Sequence, residues 1–396
     1  MVEPMQVKMW GLVFILSLLL VLSLANEPLD VADIEDLAKL ILNKRNMDFI
    51  NGGSGRMRTV QDNVEAFGRY KLRPRVLRNV LSVDVSTTIL GNKINFPICV
   101  APMAAQRLVH PDGEKANARA AMEMGTCFGL SISASASLEE ITSAAPEGLK
   151  FLQVDPLKEL RILTSLIREG EKKGFKGIIL GVDIAILRGR DVIEKTHPIF
   201  PPGMKMGIWE FLLAEYNKLM EVEGRPSIVN MEYFRKEQPD SSRTWEIVQW
   251  FKNATNLPII IKGILTGEDA RMAATLGVDA IIVSNHGGRQ LDDSPATIDV
   301  LKEIVTAVEG QCEVYIDGGI RTGNDVFKAL ALGAKAVFIG RPMLWGIAYD
   351  GKDGAKKVLE ILQKELKVTM AHAGAPTIAD IVEEMIVHES HFWVKN

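Results

Sequence analysis

The chain of 396 residues is 47% hydrophobic and 24% charged, with a formal net charge of -4. This is an ordinary globular composition without a basic stripe, which argues against a nucleic-acid or anionic-membrane partner. The 3 cysteines, Cys99, Cys127 and Cys312, are scattered through apolar runs, so we expect buried thiols rather than a disulfide or a zinc framework, and no metal site.

The first segment has the pattern of a secretory signal. An unbroken apolar run, Trp10–Ala25, follows Lys8 and ends in the small-residue site Ser23-Leu24-Ala25. This predicts a signal peptide over residues 1–25 that is cleaved after Ala25. An uncleaved membrane anchor is the alternative, although a span needs roughly 20 apolar residues. The sequon Asn253-Ala254-Thr255 is compatible with secretion, whereas the missing disulfide pattern weighs mildly against it.

Residues 26–90 are predicted to form an N-terminal cap segment that begins with the amphipathic helix Val31–Leu42. Beyond it, short apolar runs alternate with helical segments. The strand candidates are Phe96–Ala101, Phe128–Ser131, Lys150–Val154, Gly177–Asp183, Pro258–Lys262, Ala280–Ser284, Glu313–Asp317 and Ala336–Gly340. The helical segments are Glu114–Met124, Leu160–Lys173, Glu268–Leu276, Thr297–Val308 and Asp325–Leu332.

Strands that are apolar throughout and alternate with helices indicate a parallel sheet covered by helices. Eight such units predict an α/β fold, a (β/α)8 TIM barrel over residues 91–370, followed by a C-terminal tail over 371–396. The alternative is a doubly wound open sheet. An internal repeat supports the barrel, because the module that starts at Thr266-Gly267 recurs at Thr322-Gly323, each copy running from turn to helix to buried strand.

The segment from about Leu187 to Arg243, after the fourth strand, is too long for a simple βα loop. Long loops over a barrel mouth are usually functional lids or disordered insertions, and both remain open here.

Polar residues follow nearly every predicted strand. The strand from Ala280 ends in Asn285, His286, two glycines and Arg289. A His at this place can move a proton near neutral pH, and an Arg can grip a carboxylate or phosphate. The other strand ends carry Pro102, Ser131, Gln153, Asp183, Lys262, Asp317-Gly318-Gly319 and Gly340-Arg341. In a barrel these residues converge on one face, which predicts an active site there.

Several longer motifs resemble those of the FMN-dependent α-hydroxy acid oxidases, the group of glycolate oxidase and L-lactate dehydrogenase. The likeness runs from about Val31 onward. The motifs that carry it are Lys71–Arg75, Ala101–Met103, His110–Glu114, Lys262-Gly263, Ser284–Asp292, Asp317–Arg321, Phe327–Gly333 and Ile339–Pro342.

The resemblance implies FMN bound across the carboxyl face of the barrel. Lys262 would lie near N1 and O2 of the flavin, where it stabilises the anionic reduced ring. Arg321 and Arg341, with the backbone of Gly319 and Gly340, would hold the phosphate. The other expected cofactor contacts are Ala101, Pro102, Met103, Ser131, Gln153, Ser284 and Asp317.

The resemblance also implies the reaction, in which a small L-2-hydroxy acid is oxidised to the 2-oxo acid while oxygen becomes hydrogen peroxide. His286 would take the proton of the substrate and Asp183 would orient that His. Arg289 and Arg190 would clamp the substrate carboxylate. Barrels of this family often assemble as tetramers, so a homo-oligomer is expected.

Four positions depart from the pattern of the family. Phe49 stands where the family has a tyrosine that helps bind the substrate carboxylate, and Asp155 where it has one that stabilises the reacting centre. Ser133 replaces a bulky residue, and Gly181 replaces a threonine that touches the flavin. These changes leave two alternatives open, an FMN-binding homologue with lost or altered substrate activity and a flavin enzyme of another reaction type. The secretory pathway is the expected location. Peroxisomal import is the alternative, although His391–Asn396 contains no Ser-Lys-Leu-like signal.

Overall fold

The computed structural model describes residues 27–185 and 195–392. The predicted signal peptide over residues 1–25 and the predicted substrate ligand Arg190 lie outside the described residues. Within the described ranges, no helix is both long and apolar enough to cross a membrane.

The N-terminal part is helical and lies against the barrel. It contains α1 (Val31–Ile41), α2 (Lys44–Asn51), α3 (Arg58–Arg69), strand β1 (Tyr70–Leu72) and the hairpin of β2 (Thr87–Ile89) and β3 (Asn92–Ile94). Helix α1 begins where predicted, because the side chain of Asp30 accepts a hydrogen bond of 2.8 Å from the backbone N–H of Asp33 in a capping box.

Eight parallel strands close into a barrel, which confirms the predicted fold. Chain order and spatial order coincide, as a βα repeat requires. The strands are β4 (Ile98–Met103), β5 (Cys127–Leu130), β6 (Leu149–Val154), β7 (Ile178–Gly181), β8 (Ile259–Ile264), β9 (Ala280–Val283), β10 (Glu313–Asp317) and β11 (Ala336–Ile339).

Helices that follow the strands pack around the barrel. They are α4 (Glu114–Met124), α5 (Leu138–Ala144), α6 (Leu160–Lys172), α7 (Gly207–Val222), α8 (Met231–Glu237), α9 (Glu246–Ala254), α10 (Gly267–Thr275), α11 (Thr297–Val308), α12 (Gly323–Ala331) and α13 (Arg341–Ala373). Helix α13 contains a kink at Asp350 and Gly351. Short 3-10 turns lie at Gln106–Leu108, His286–Gly288, Ile378–Asp380, Glu383–Met385 and Glu389–Phe392.

The segment after the fourth barrel strand is folded in its described part, residues 195–243. Helix α7 buries Trp209 and Leu212, and α8 buries Phe234 against them. The ring centroids of Trp209 and Phe234 are 6.0 Å apart. Of the two alternatives that the sequence left open, the packing argues against a disordered insertion for residues 195–243.

The barrel interior is a small core of its own. Alternate strand residues point inward, among them Phe151, Ile260, Ile282 and Tyr315, and these pack with Ile89 and Ile94 of the β2–β3 hairpin. The hairpin closes the amino end of the barrel, so the polar carboxyl end is the open one.

The cysteines differ from the sequence prediction. Cys99 of β4 and Cys127 of β5 form a disulfide with a Cα–Cα distance of 5.0 Å, and Cys312 is free. The expectation of unpaired thiols was wrong because the two residues, 28 apart in sequence, lie on neighbouring strands and both face the barrel interior.

The tail after α13 returns to the N-terminal part. Strand β12 (Ile386–His388) pairs antiparallel with β1, so that Tyr70 lies opposite His388 and Leu72 opposite Ile386. The backbone N–H of Arg73 adds a hydrogen bond of 2.7 Å to the carbonyl of Met385. The tail thus holds the cap segment in place.

Candidate active site

The inward alternation of the strands places polar side chains at the open end of the barrel. The inward-facing apolar residues Phe151, Ile260 and Tyr315 lie on β6, β8 and β10. Two residues further along the same three strands come the polar residues Gln153, Lys262 and Asp317. Because successive inward residues are two apart, these three side chains enter the mouth of the barrel above the apolar layer. They line one cavity together with His286 and Asp183.

Nearly all of the predicted site residues line this cavity. The exceptions are Arg190, outside the described residues, and Ser284, whose hydroxyl lies directly beneath the cavity as a partner of Lys262. The residues brought together are Phe49, Ala101, Pro102, Met103, Ser131, Gln153, Asp155, Asp183, Lys262, His286, Arg289, Asp317, Gly319, Arg321, Gly340 and Arg341.

His286 and Asp183 form a hydrogen-bonded pair. Nδ1 of His286 lies 3.0 Å from both carboxylate oxygens of Asp183. The backbone N–H of His286 donates to the hydroxyl of Ser284 at 3.0 Å, and His286 itself has a positive φ of 57°. A carboxylate at Nδ1 holds the proton there and makes Nε2 the basic nitrogen. The pair is thus arranged for proton abstraction.

Lys262 is buried among carboxylates. Its Nζ donates to the hydroxyl of Ser284 at 2.8 Å and lies 3.3 Å from Asp317 Oδ2 and 3.8 Å from Asp183 Oδ2. Burial lowers the pKa of Lys262, but the attraction of Asp317 and Asp183 outweighs it, so the pKa lies above its usual value. Lys262 therefore keeps its positive charge at the centre of the mouth.

Two arginines, Arg321 after β10 and Arg341 after β11, line the same cavity and form no ion pair among the described residues. Burial lowers the pKa of Arg341 to about 9, and repulsion by Arg289 and Arg321 adds to this effect. Burial also lowers the pKa of Arg321, which lies 4.9 Å from the ring centre of Trp345. Clustered buried cations are costly unless an anion joins them. The cluster is therefore suited to a phosphate.

Glycines bring the backbone close to this cluster. Gly319 has a φ of 83°, and a Cβ there would collide with the backbone carbonyl of Asn63 in α3. Gly340 immediately precedes α13 and lines the cavity beside Arg341, the first residue of that helix. The arginine cluster and the glycine backbone beside it are therefore suited to bind an anion.

Arg289 and Phe49 lie on the side of the cavity formed by the cap. Nη1 of Arg289 donates to the carbonyls of Phe49 at 2.9 Å and Gly52 at 3.0 Å, and its guanidinium carbon lies 4.9 Å from the ring centre of Phe49. These contacts fix the guanidinium plane at the cavity wall, where it can meet a carboxylate.

Asp155 follows β6 and faces β7. Its Oδ1 accepts a hydrogen bond of 2.7 Å from Nε2 of Gln153. A Cβ at Gly181, on β7, would lie 2.5 Å from the same oxygen. The Asp155 carboxylate is therefore accommodated by the absence of a side chain at 181.

Sequence reasoning missed two residues of this region, Trp209 and Arg235. Trp209 of α7 donates from Nε1 to the hydroxyl of Ser133 at 3.2 Å and so packs beside the small residue that follows β5. Arg235 of α8 lines the cavity, with its guanidinium carbon 5.8 Å from the ring centre of Trp209. The sequence offered one indication of these two residues, namely an aromatic and a basic residue in a segment that is too long for a simple loop.

Comparison with known proteins gives a consistent result. The family model described as FMN-dependent dehydrogenase matches residues 38–388. The 2-hydroxyacid oxidase 1 of Homo sapiens is 43% identical over 360 residues, which cover 91% of this chain and 96% of that protein. The 2-hydroxyacid oxidase 2 of Bos taurus is 45% identical, with 90% and 97% covered.

A solved structure of mandelate oxidase with benzoyl-formic acid superposes with a TM-score of 0.80 at 36% identity, and the match covers 90% of this chain and 98% of that one. The similarity therefore includes the cap, the barrel and the polar mouth together.

Proposed function

The chain belongs to the FMN-dependent dehydrogenase family, and we propose that it oxidises a small (S)-2-hydroxy acid to the 2-oxo acid and passes the electrons to oxygen. The single observation that carries the proposal is the His286–Asp183 pair, with Nδ1 3.0 Å from both carboxylate oxygens, at the mouth beside Lys262. Relatives named 2-hydroxyacid oxidase that match over nine tenths of their own length support it. They give no support to the alternative of a flavin-binding homologue without turnover.

The residues present fit FMN, the cofactor of the family. Asp317 Oδ1 is buried and has no hydrogen-bond partner among the described residues, so it is an acceptor ready for a hydroxyl of the ribityl chain. Arg321 and Arg341 would hold the phosphate, whose charge offsets the repulsion between them. Lys262 would lie at the electron-rich edge of the ring, and Ser131 and Gln153 would bond its polar edge.

When bound, FMN accepts the two electrons that the substrate loses. The chain's own residues handle the proton and the charges. Nε2 of His286 accepts the proton of the substrate, and the carboxylate of Asp183 stabilises the imidazolium that results. Arg289, fixed by backbone carbonyls of the cap, pairs with the substrate carboxylate and holds the reacting carbon in place. Oxygen finally takes up two electrons and two protons to give hydrogen peroxide.

We further propose entry into the secretory pathway and assembly as a homo-tetramer. The apolar run Trp10–Ala25, the exposed position of Asn253 and the Cys99–Cys127 disulfide support secretion. Deleting residues 1–25 is expected to leave a tagged chain in the cytosol. The family resemblance supports the tetramer, which sedimentation of the purified protein tests.

An anaerobic absorbance titration tests the proposed function. The purified protein is expected to show a flavin spectrum that bleaches when L-lactate or glycolate is added and recovers with oxygen. The variant His286→Gln should keep the flavin spectrum and lose the bleaching. A parent protein whose flavin stays oxidised with every 2-hydroxy acid of two to eight carbons would contradict the proposal.

A further inference from the structure

We propose that Arg235 binds a second anionic group of the substrate, so that this chain acts on 2-hydroxy acids with an acidic group at the far end of the side chain. The proposal rests on the proposed function and deepens it, because it specifies the substrate class of the same site. It is carried by the placement of Arg235 across the cavity from Arg289 and by the absence of an acidic partner for it within the described residues.

Packing fixes the position of Arg235. Its guanidinium lies over the ring of Trp209, 5.8 Å from the ring centre. Trp209 is itself buried and is held by its hydrogen bond of 3.2 Å to Ser133. Ser133 follows β5, so Arg235 lies at the wall of the cavity above that strand. A larger side chain at 133 would take the place that Trp209 now occupies.

The other cation of the substrate side lies on the opposite wall. Around the closed barrel β5 is followed by β6, β7, β8 and then β9, so β5 and β9 are diametrically opposed. His286 and Arg289 follow β9, whereas Ser133 follows β5. Both arginines reach one cavity, which is also lined by the apolar residues Leu108, Val109, Phe200 and Met206. An elongated ligand with an anion at each end matches this arrangement.

Arg235 has no acidic partner among the described residues. Among the residues that the structure describes, its Nε is buried without a hydrogen-bond partner, and its guanidinium forms no ion pair with a carboxylate. Glu232 in the same helix is exposed and pairs instead with Lys236 at 2.7 Å. Burial lowers the pKa of Arg235, and the charge of Glu232 offsets this effect only in part, so the cation is poorly solvated in the free protein. Such a cation is stabilised when an anion binds it.

Stacking on Trp209 alone would be a purely structural role for Arg235. Experiments can separate this role from anion binding. Stacking depends on the shape and charge of residue 235 and is indifferent to the ligand. Anion binding makes the effect of a substitution depend on the second acidic group of the ligand. The matched ligands are L-2-hydroxyglutarate and L-2-hydroxypentanoate, which have the same carbon chain and differ in the terminal carboxylate.

The test compares the parent with Arg235→Met and Arg235→Lys, all loaded with FMN. We expect the parent to favour L-2-hydroxyglutarate in kcat/KM, and Arg235→Met to lose 10- to 100-fold for this substrate only, as for a hydrogen-bonded ion pair. Arg235→Lys should recover part of the loss because it keeps the charge. Equal losses for both substrates, or no loss for either, would overturn the proposal.

A binding measurement keeps the proposal testable apart from turnover. Glutarate and pentanoate are not oxidised, and their dissociation constants follow from calorimetry with each variant. We expect Arg235→Met to raise the dissociation constant of glutarate 10-fold or more and to leave that of pentanoate unchanged. If no 2-hydroxy acid bleaches the flavin while this difference holds, the proposed function fails and the anion site stands. Equal binding by parent and Arg235→Met rejects the site itself.

Discussion

The carboxylate of Asp155 occupies the space that a side chain at Gly181 would need. A Cβ at 181 would lie 2.5 Å from Asp155 Oδ1, the same oxygen that accepts the hydrogen bond from Gln153 Nε2. Both residues lie at the carboxyl ends of the neighbouring strands β6 and β7. Two departures from the pattern of the family are thus parts of one structural change.

We expect Gly181→Ala to lower the free energy of unfolding by about 1–3 kcal/mol, because Asp155 must turn away and the part-buried hydrogen bond from Gln153 is lost. Urea unfolding of the cofactor-free protein measures the difference. The same substitution in an Asp155→Ala background should cost markedly less, since residues in contact are coupled. An identical cost in both backgrounds would show that the two residues are independent.

Asp183→Asn is expected to lower kcat by about 10²- to 10⁴-fold while the flavin content stays at the level of the parent. The amide no longer stabilises the charged imidazole and no longer fixes the proton on Nδ1 of His286. Stopped-flow reduction of the flavin measures the loss. The control Asp353→Asn makes the same chemical change at an exposed carboxylate and should react at the rate of the parent. Near-normal reduction by Asp183→Asn would remove this residue from the mechanism.

Arg321→Met should weaken the binding of FMN by about 10- to 100-fold, which corresponds to the loss of one charge-assisted hydrogen bond. The cofactor-free protein should lose no stability, because burial already lowers the pKa of Arg321 and its replacement removes a poorly solvated charge. Quenching of flavin fluorescence gives the dissociation constant. Arg271→Met, at an exposed position of α10, is the matched control. Unchanged FMN affinity in Arg321→Met would exclude Arg321 from the phosphate site.

The affinity for FMN is expected to fall as the pH drops below about 6, where the phosphate takes up its second proton. The direction of this pH dependence follows from the charges of the arginine cluster. Burial and the neighbouring arginines lower the pKa of Arg341 to about 9, so this group stays protonated below neutral pH and the ligand alone changes charge. The fall should be shallower in Arg321→Met. An affinity that rises on acidification would contradict a phosphate at this cluster.

The number of cysteines that can be alkylated tests the disulfide between Cys99 and Cys127. Denatured protein treated with iodoacetamide without reductant should gain one label, at Cys312, and all three cysteines should react after reduction. In the folded protein Cys312 should react slowly at pH 8, because burial raises the pKa of its thiol to about 11 and little thiolate forms. Intact-mass spectrometry counts the labels. Three labels without reductant would show that Cys99 and Cys127 are thiols.

Much of the fold could be predicted from the sequence because the signals are local. The predicted bounds of Glu114–Met124, Thr297–Val308 and Glu313–Asp317 coincide with those of the structure. A buried strand in a parallel barrel is apolar on both faces, and the polar residue that follows it marks the mouth. His286, Lys262 and Asp317 were found in this way.

The parts that sequence could not predict depend on contacts between distant segments. Cys99 and Cys127 become partners only because β4 and β5 are neighbours in the barrel. Arg235 reaches the cavity because Trp209 packs beside Ser133, and no local pattern links those three positions. In the sequence, Ser133 and Gly181 appear only as lost side chains. In the structure, Trp209 packs beside Ser133 and the carboxylate of Asp155 occupies the space beside Gly181.

The pairing of β1 with β12 has a consequence for the order of folding. The last barrel strand ends at Ile339, but the partner of Tyr70–Leu72 is the segment Ile386–His388, which follows that strand in the chain. A nascent chain has all its barrel strands before it has the strand that holds the cap. The strand pairing that anchors the cap, which carries Phe49 and the carbonyls that orient Arg289, can therefore form only after all eight barrel strands have been synthesised.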